Sequence, residues 1–190
     1  MLFDNDPRPW RVERSEYLIQ TPWLTVRQDA VRLPNGGFMP DYYVFEYRDW
    51  VNVIAVTTDG QLVLVRQYRH GIAGVHYELC AGVIDPGEDL MTAAQRELLE
   101  ETGYGGGNWP LFMTLSANTG THTNLNYTFL ATGVRWQQPQ SLDDTEDITV
   151  QLVTPEQAWA LLDTGQVMQA ICAAPLLKYL CRSGQPLTSE

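Results

Sequence analysis

The chain has 190 residues, 44% of them hydrophobic, enough to bury a sizeable core as one domain with an elaboration. A net charge of −11 argues against sequence-independent binding to nucleic acid or to an anionic membrane surface. Cys80, Cys172 and Cys181 are too scattered for a disulfide framework and lack metal-ligand spacing, the N-terminal MLFDNDPRPWRVERS has no apolar signal core, and no stretch approaches the roughly 18 apolar residues of a membrane span, so the expected setting is cytoplasmic.

Trp23–Leu33 and Phe38–Tyr47 read as strands on either side of Pro34-Asn35-Gly36-Gly37, where Asn and Gly tolerate the positive φ of a hairpin turn. Val51–Thr57 and Gln61–Gln67 flank Thr58-Asp59-Gly60 as a second hairpin, with apolar residues alternating in VNVIAV and LVLV. The spacing of Leu90, Ala94, Leu98 and Thr102 predicts a helix, closed by Gly103 as a left-handed cap. Beyond the Gly105-Gly106-Gly107 turn come a strand near Asn126–Thr132, an acidic loop Leu142–Asp147 and a strand Ile148–Val153. Thr154-Pro155-Glu156-Gln157 opens another helix with a capping box and proline at the first helical position, and a last amphipathic helix runs through Ala170–Leu180. No repeat and no low-complexity segment interrupts this order. Strands and helices mix without strict βαβ alternation, which predicts an α+β fold with a mixed sheet, residues 1–48 forming an N-terminal antiparallel β extension and 49–190 the main domain.

The helix after the second hairpin carries Glu97, Glu100 and Glu101. Glu97 and Glu101 are like charges at i,i+4, a cost of about 0.2–0.5 kcal/mol. Both lie in the last turns, where the helix dipole disfavours an anion by about 0.3–1 kcal/mol each. At about 100° per residue Glu101 points between Leu90 and Ala94, at the rim of the buried stripe. Without further pattern such glutamates are a solvated face. A cluster that repels itself, opposes the dipole and is partly desolvated asks for a compensating cation, and a metal site is the natural reading.

The pattern is there. Gly82 is followed after five residues by Glu88, after seven more by Arg96-Glu97-Leu98, then Glu100-Glu101 and Gly103-Tyr104. Seven fixed positions at average residue usage coincide by chance on the order of once in 10⁸ starting points. The segment resembles the Nudix box in full, with Tyr104 a mild variation at its final apolar position. The resemblance implies an α/β/α sandwich in which a loop–helix–loop binds divalent metal, Mg²⁺ or else Mn²⁺, and hydrolyses a nucleoside diphosphate linked to another moiety. Mg²⁺ takes about six hard oxygen ligands and keeps several waters, so a few carboxylates and substrate phosphates suffice. By resemblance Glu97 and Glu101 bind metal, with Glu100 assisting and the Ala81 carbonyl as a further ligand. Arg96 holds a box glutamate, Glu100 first, while Gly82 and Gly103 shape the backbone. Glu88 either orients the helix or reaches metal through water.

The flanking segments VRQYRH (65–70) and ELCAGVID (78–85), and DDTEDI (143–148) with its following helix, resemble ADP-ribose pyrophosphatases within that family. In that group an acid on the late loop is the catalytic base, here Asp144 or Glu146. Arg69, at a strand end beside the box loop, suits bidentate contact with phosphate. The resemblance also implies a homodimer that swaps its N-terminal strands, with Trp23 and Tyr43 placed to clamp adenine and Arg48 nearby. Two departures stand out: Ser116-Ala117-Asn118 replaces the usual Ser-Pro-Gly, and Cys80 replaces the proline of Glu-Leu-Pro-Ala-Gly. Thr119–Asn126, with His122, is either a polar turn or a pocket wall. The expected reaction is Mg²⁺-dependent cleavage of ADP-ribose or a similar nucleotide sugar to a nucleoside monophosphate and a sugar phosphate. The alternatives are another phosphoanhydride (GDP-mannose, a UDP-sugar or a nucleoside triphosphate) and a non-catalytic ADP-ribose-binding module.

Overall fold

A computed structural model describes residues 6–184, so the outer ends of the 1–48 and 49–190 segments lie outside the described residues. The chain forms two compact units: the described residues up to Tyr47 with Asn118–Asn124, and Arg48–Ala117 with the chain from Leu125 onward.

The first unit is a three-stranded antiparallel sheet, β1 (Arg11–Gln20), β2 (Thr25–Arg32) and β3 (Phe38–Glu46), in that order. The expected β2–β3 hairpin is present. Leu33 N–H donates to the Gly37 carbonyl at 2.9 Å, Gly36 takes φ 88°, and Asn35 Oδ1 accepts from Gly37 N–H at 2.9 Å. Strand β1 is an addition to the expected elements. All ten of its positions are exposed, so it has no buried face to imprint an alternating pattern. Val26, Ala30 and Val31 are buried, and the equally buried Asp29 accepts from Arg27 Nε at 2.9 Å and Ser15 Oγ at 2.6 Å. Asn118–Asn124 joins this unit through backbone bonds between Phe45 and both Thr121 and Thr123. His122 packs edge-on against Phe45 and Tyr47.

The second unit is built on a mixed sheet. Its central path runs β11 (Ile148–Val153), β5 (Leu62–Arg69), β4 (Trp50–Thr57), β10 (Asn126–Trp136) and β8 (Tyr104–Gly105). Three short strands branch from it: β6 (Gly74–Glu78) on β5, β7 (Cys80–Val83) on β4 and β9 (Leu111–Leu115) on β10. β4 and β10 run parallel; the other pairs are antiparallel. β4 and β5 pair only at Ala55↔Val63 and Val56↔Leu62, after which each takes a new neighbour, β7 along Trp50–Val53 and β6 along Val65–Arg69. This divergence of two buried strands creates the ground on which the site is built.

Alternation along the central strands feeds two cores. Val51, Val53 and Ala55 face α1 (Leu90–Thr102), meeting Ala93, Ala94 and Leu98. Ile54, Val56, Leu62 and Leu64 meet Ala158 of α2 (Pro155–Asp163) and Cys172, Leu176 and Leu180 of α3 (Ala170–Arg182). Each fully buried Val, Leu or Ile contributes about 1.5–3 kcal/mol of transfer energy. The result is a helix–sheet–helix sandwich. The capping box at Thr154 and Gln157 is formed as expected. No described helix is long and apolar enough to cross a membrane.

Candidate active site

α1 starts at Asp89, whose carboxylate accepts from the N–H groups of Met91 (3.1 Å) and Thr92 (3.2 Å), and ends at Gly103 with φ 75°. Within it, Arg96 is the cation that the glutamates share. Its Nε and Nη2 donate to Glu88 at 2.9 and 3.0 Å, and its Nη1 donates to Glu97 at 2.8 Å and to Glu100 at 3.2 Å. Arg96 therefore holds three glutamates, where the sequence suggested chiefly Glu100. Glu88 sits before the helix, takes the Asp85 N–H at 3.1 Å, and is held below its usual pKa by Arg96. It orients the loop that enters α1.

Glu101 has a different environment. It is 3% exposed, and Oε2 accepts the Ala81 N–H of β7 at 3.1 Å. Burial pushes its pKa up to about 7, against hydrogen bonds from Cys80 and Ala81 that pull it down. Burial also raises Glu97 above its ordinary value, against the pull of Arg96. Gly82 leaves room for the Glu97 carboxylate against β7: a Cβ there would fall 1.9 Å from Glu97 Cδ. A larger residue there would have to displace the Glu97 carboxylate.

The acidic loop is tied to the C-terminal end of α1. Ser141 N–H donates to the Glu100 carbonyl at 2.9 Å, and Gln140 Nε2 to the Glu101 carbonyl at 2.6 Å. These bonds satisfy carbonyls that every helix end leaves open. Glu146 closes the loop by accepting the Asp143 N–H at 3.0 Å, and its charge raises the pKa of both Glu97 and Glu101. Asp144 is exposed.

On the α3 side of the same strands lies a pocket of about 340 Å³. Ala81, Gly82 and Val83 form one wall, joined by Trp50, Asn126 and Arg69, and by Gln169 and Ile171 at the start of α3. Gly82 is thus a partition, with the pocket on one side and the Glu97 carboxylate on the other. The guanidinium of Arg69 is engaged by the buried Glu78, with Nε to Oε1 at 2.8 Å and Nη2 to Oε2. The sequence-based expectation offered that fork to phosphate; in the structure its charge is balanced by Glu78. Arg48 reaches Asp85 at 3.4 Å in an exposed pair. Trp23, 85% exposed between β1 and β2, and Tyr43 on β3 belong to the first unit.

Trp50, Glu78 and Gln169 were not singled out as site residues from the sequence, whereas Asn126 ends the Thr119–Asn126 segment offered there as a pocket wall. A signal existed for Glu78, which interrupts an apolar run, and Asn126 shares an inward-facing phase with Leu130 in NYTFLAT. Among the described residues no three His, Cys, Asp or Glu side chains form a ready metal cage. The donor set nonetheless fits a hard divalent cation. Glu97, Glu100, Glu101 and the Ala81 carbonyl offer oxygen alone, and Glu101 is buried and Glu97 half-buried with their charge only partly met. Mg²⁺ needs few protein ligands, so an open half-site with room for water and phosphate oxygens suits it.

A family model described as "NUDIX domain" matches residues 46–172, and one described as "Nucleoside diphosphate sugar hydrolase N-terminal domain" matches residues 10–45. The chain belongs to the Nudix family and is a Nudix hydrolase. It is 30% identical over 165 residues to the ADP-ribose pyrophosphatase of Mycobacterium tuberculosis, covering 86% of this chain and 79% of the relative. It is 31% identical over 143 residues to the ADP-ribose pyrophosphatase of Bacillus subtilis, covering 75% and 77%. Among solved structures, an ADP compounds hydrolase superposes with a TM-score of 0.80 over 96% of this chain and 100% of that one, at 21% identity. Members of the family generally use divalent metals.

Proposed function

We propose that this protein hydrolyses the diphosphate bond of ADP-ribose or a related nucleoside diphosphate sugar, giving a nucleoside monophosphate and a sugar phosphate. The observation that carries the reading is the convergence of the buried Glu101 and the half-buried Glu97 on β7 at Ala81 and Gly82, with the charge of Glu146 acting on both. The names of the two pyrophosphatase relatives support the substrate class. Glu97, Glu100, Glu101 and the Ala81 carbonyl would hold Mg²⁺, with Mn²⁺ as a substitute. When bound, the metal supplies charge neutralisation on the diphosphate and a lowered pKa for water.

The chain's own groups do the rest. Glu146, favoured over Asp144 by its influence on Glu97 and Glu101, accepts a proton from the attacking water at its carboxylate. The water oxygen bonds to one phosphorus as the bridging P–O bond breaks, and that bridging oxygen leaves on the other phosphate. Arg96 keeps Glu97 and Glu100 in place throughout. The exposed rings of Trp23 and Tyr43 offer faces for a nucleobase.

A homodimer is part of this reading. Strand β1 exposes Val12, Tyr17, Leu18 and Ile19, and such an apolar edge strand needs a cover, which a second copy supplies. Three unpaired cysteines and the acidic charge favour the cytoplasm. The reaction is tested by incubating protein and Mg²⁺ with ADP-ribose, ADP-glucose, GDP-mannose, UDP-glucose and ATP. The reading expects nucleoside monophosphate from the first group and ADP-ribose among the preferred substrates. Release from ATP alone would overturn the substrate class, and no release from any compound would overturn the reaction.

A further inference from the structure

The loop between β10 and β11 has to hold Glu146 close to two other carboxylates, and its own residues work against that. Residues 143–147 are all exposed, so burial does not fix their conformation, and Asp143, Asp144, Glu146 and Asp147 repel one another. The arch closes on itself only where Glu146 N–H donates to the Asp143 carbonyl at 2.9 Å and Asp143 N–H returns a bond to Glu146 Oε2 at 3.0 Å. What ties it down lies at its stems. Gln137 and Gln138 N–H donate to the Gly103 carbonyl at 2.8 and 3.3 Å, Ser141 N–H donates to the Glu100 carbonyl at 2.9 Å, and Leu142 packs half-buried against the core under α1. Gln140 adds a link of another kind. Its Nε2 donates to the Glu101 carbonyl at 2.6 Å and to the Ile148 carbonyl at 3.1 Å, so one amide joins the last turn of α1 to the first residue of β11. A carboxamide nitrogen carries two hydrogens, so both bonds are made together. Among the described residues no other side chain of 137–147 is hydrogen-bonded to α1.

We infer that Gln140 is a positioning residue for the reaction: its carboxamide clamps both stems of the acidic loop to the helix that carries Glu97 and Glu101, and so holds Glu146 where it takes the proton from water. The inference rests on the hydrolase reading above and assigns the base its support. Gln140 bonds only to backbone carbonyls, so it acts through the loop and not on substrate. Helix capping accounts for its bond to Glu101 but not for the one to Ile148, which belongs to β11 and has no part in ending α1. The clamp also answers a specific force. The charge of Glu146 acts on both Glu97 and Glu101, so the loop is pushed away from α1 by its own base, and a neutral amide tether opposes that push. Precision matters here, because displacing a reacting group by about 1 Å costs on the order of 10²-fold in rate.

The test uses the whole protein. Gln140→Met keeps the length of the side chain and removes the donor, at an exposed position where the fold does not depend on it. With Mg²⁺ and ADP-ribose its kcat is expected to fall about tenfold or more, while KM, and Mn²⁺ affinity measured by calorimetry, stay within about twofold of wild type. In a Glu146→Gln background the same substitution lowers kcat no further, because clamp and base act as one unit. A second readout needs neither metal nor turnover: amide hydrogen exchange across residues 141–148 is faster in Gln140→Met than in wild type, and exchange in the middle of α1 is unchanged. An unchanged kcat, an equal loss in both backgrounds, a loss that kcat shares with KM and Mn²⁺ affinity, or unaltered exchange in the loop overturns the inference and leaves the hydrolase reading standing. A wild-type protein that cleaves none of the sugar compounds fails that reading itself and takes the inference with it.

Discussion

On the α1 side of β7, the three box glutamates are each bonded, Glu97 and Glu100 to Arg96 and Glu101 to the Ala81 N–H. On the α3 side, Asn126 and Asn52 are buried with carboxamide oxygens that bond to nothing. Both sides carry buried polar groups, but they store their cost differently. The first keeps charge in a half-desolvated cluster around one guanidinium, which suits a cation. The second keeps neutral carboxamide acceptors out of contact with any donor. Gly82 lines the pocket and also lies against the Glu97 carboxylate.

The comparison breaks most readily at Glu101. Glu101→Gln retains the shape and removes the charge, and should lower kcat by about a hundredfold or more, in line with the several kcal/mol that a metal supplies to developing charge. Its melting temperature in metal-free buffer at pH 8 should not fall, since a desolvated anion has been removed. Near-normal turnover would contradict the role given to the α1 side. Next in size is the choice of base: Glu146→Gln should reduce kcat by about 10²–10⁴-fold, the usual worth of general base catalysis, and Asp144→Asn much less. Equal effects, or the reverse order, would move the base to Asp144. Both are read from initial rates at saturating substrate.

Gly82→Ala sharpens the partition. The added methyl meets only the far end of the Glu97 side chain, so the stability cost should be small, about 1 kcal/mol, while Mn²⁺ affinity measured by calorimetry falls clearly. A large drop in melting temperature with intact metal affinity would show that Gly82 serves the backbone alone. The smallest effect is on pH. Glu101 has a folded-state pKa near 7, raised from 4.5 by burial, so the stability it lends is complete below about pH 4.5 and is lost as pH rises through about 7. Mg²⁺ binds the ionised form, and the rise in melting temperature on adding it should be larger at pH 8 than at pH 5.5. An equal rise at both would remove Glu101 from the metal set.

The two sides also differ in how far their residues reveal themselves along the chain. The α1 side lies within Gly82–Tyr104, where a fixed spacing, a helical period and a capping glycine coincide, so its residues are legible without the fold. The paired hairpin strands and both later helices are legible for the same reason, since their patterns are short-range. Strand β1 is not, because it buries neither face. The pocket draws on Trp50, Arg69, Asn126 and Gln169, which only sheet register and the start of α3 bring together. Arg69 and Glu78 were each visible in flanking segments while their pairing was not, and that pairing changes Arg69 from phosphate fork to neutral pair.

The account turns on metal-dependent cleavage of a diphosphate at the α1 side. Phosphorus-31 NMR of ADP-ribose incubated with the protein, with and without Mg²⁺, tests this directly. The two coupled diphosphate resonances should give way to those of AMP and ribose 5-phosphate only when Mg²⁺ is present. Persistence of the diphosphate signals with Mg²⁺, or their equal loss in EDTA, would contradict it.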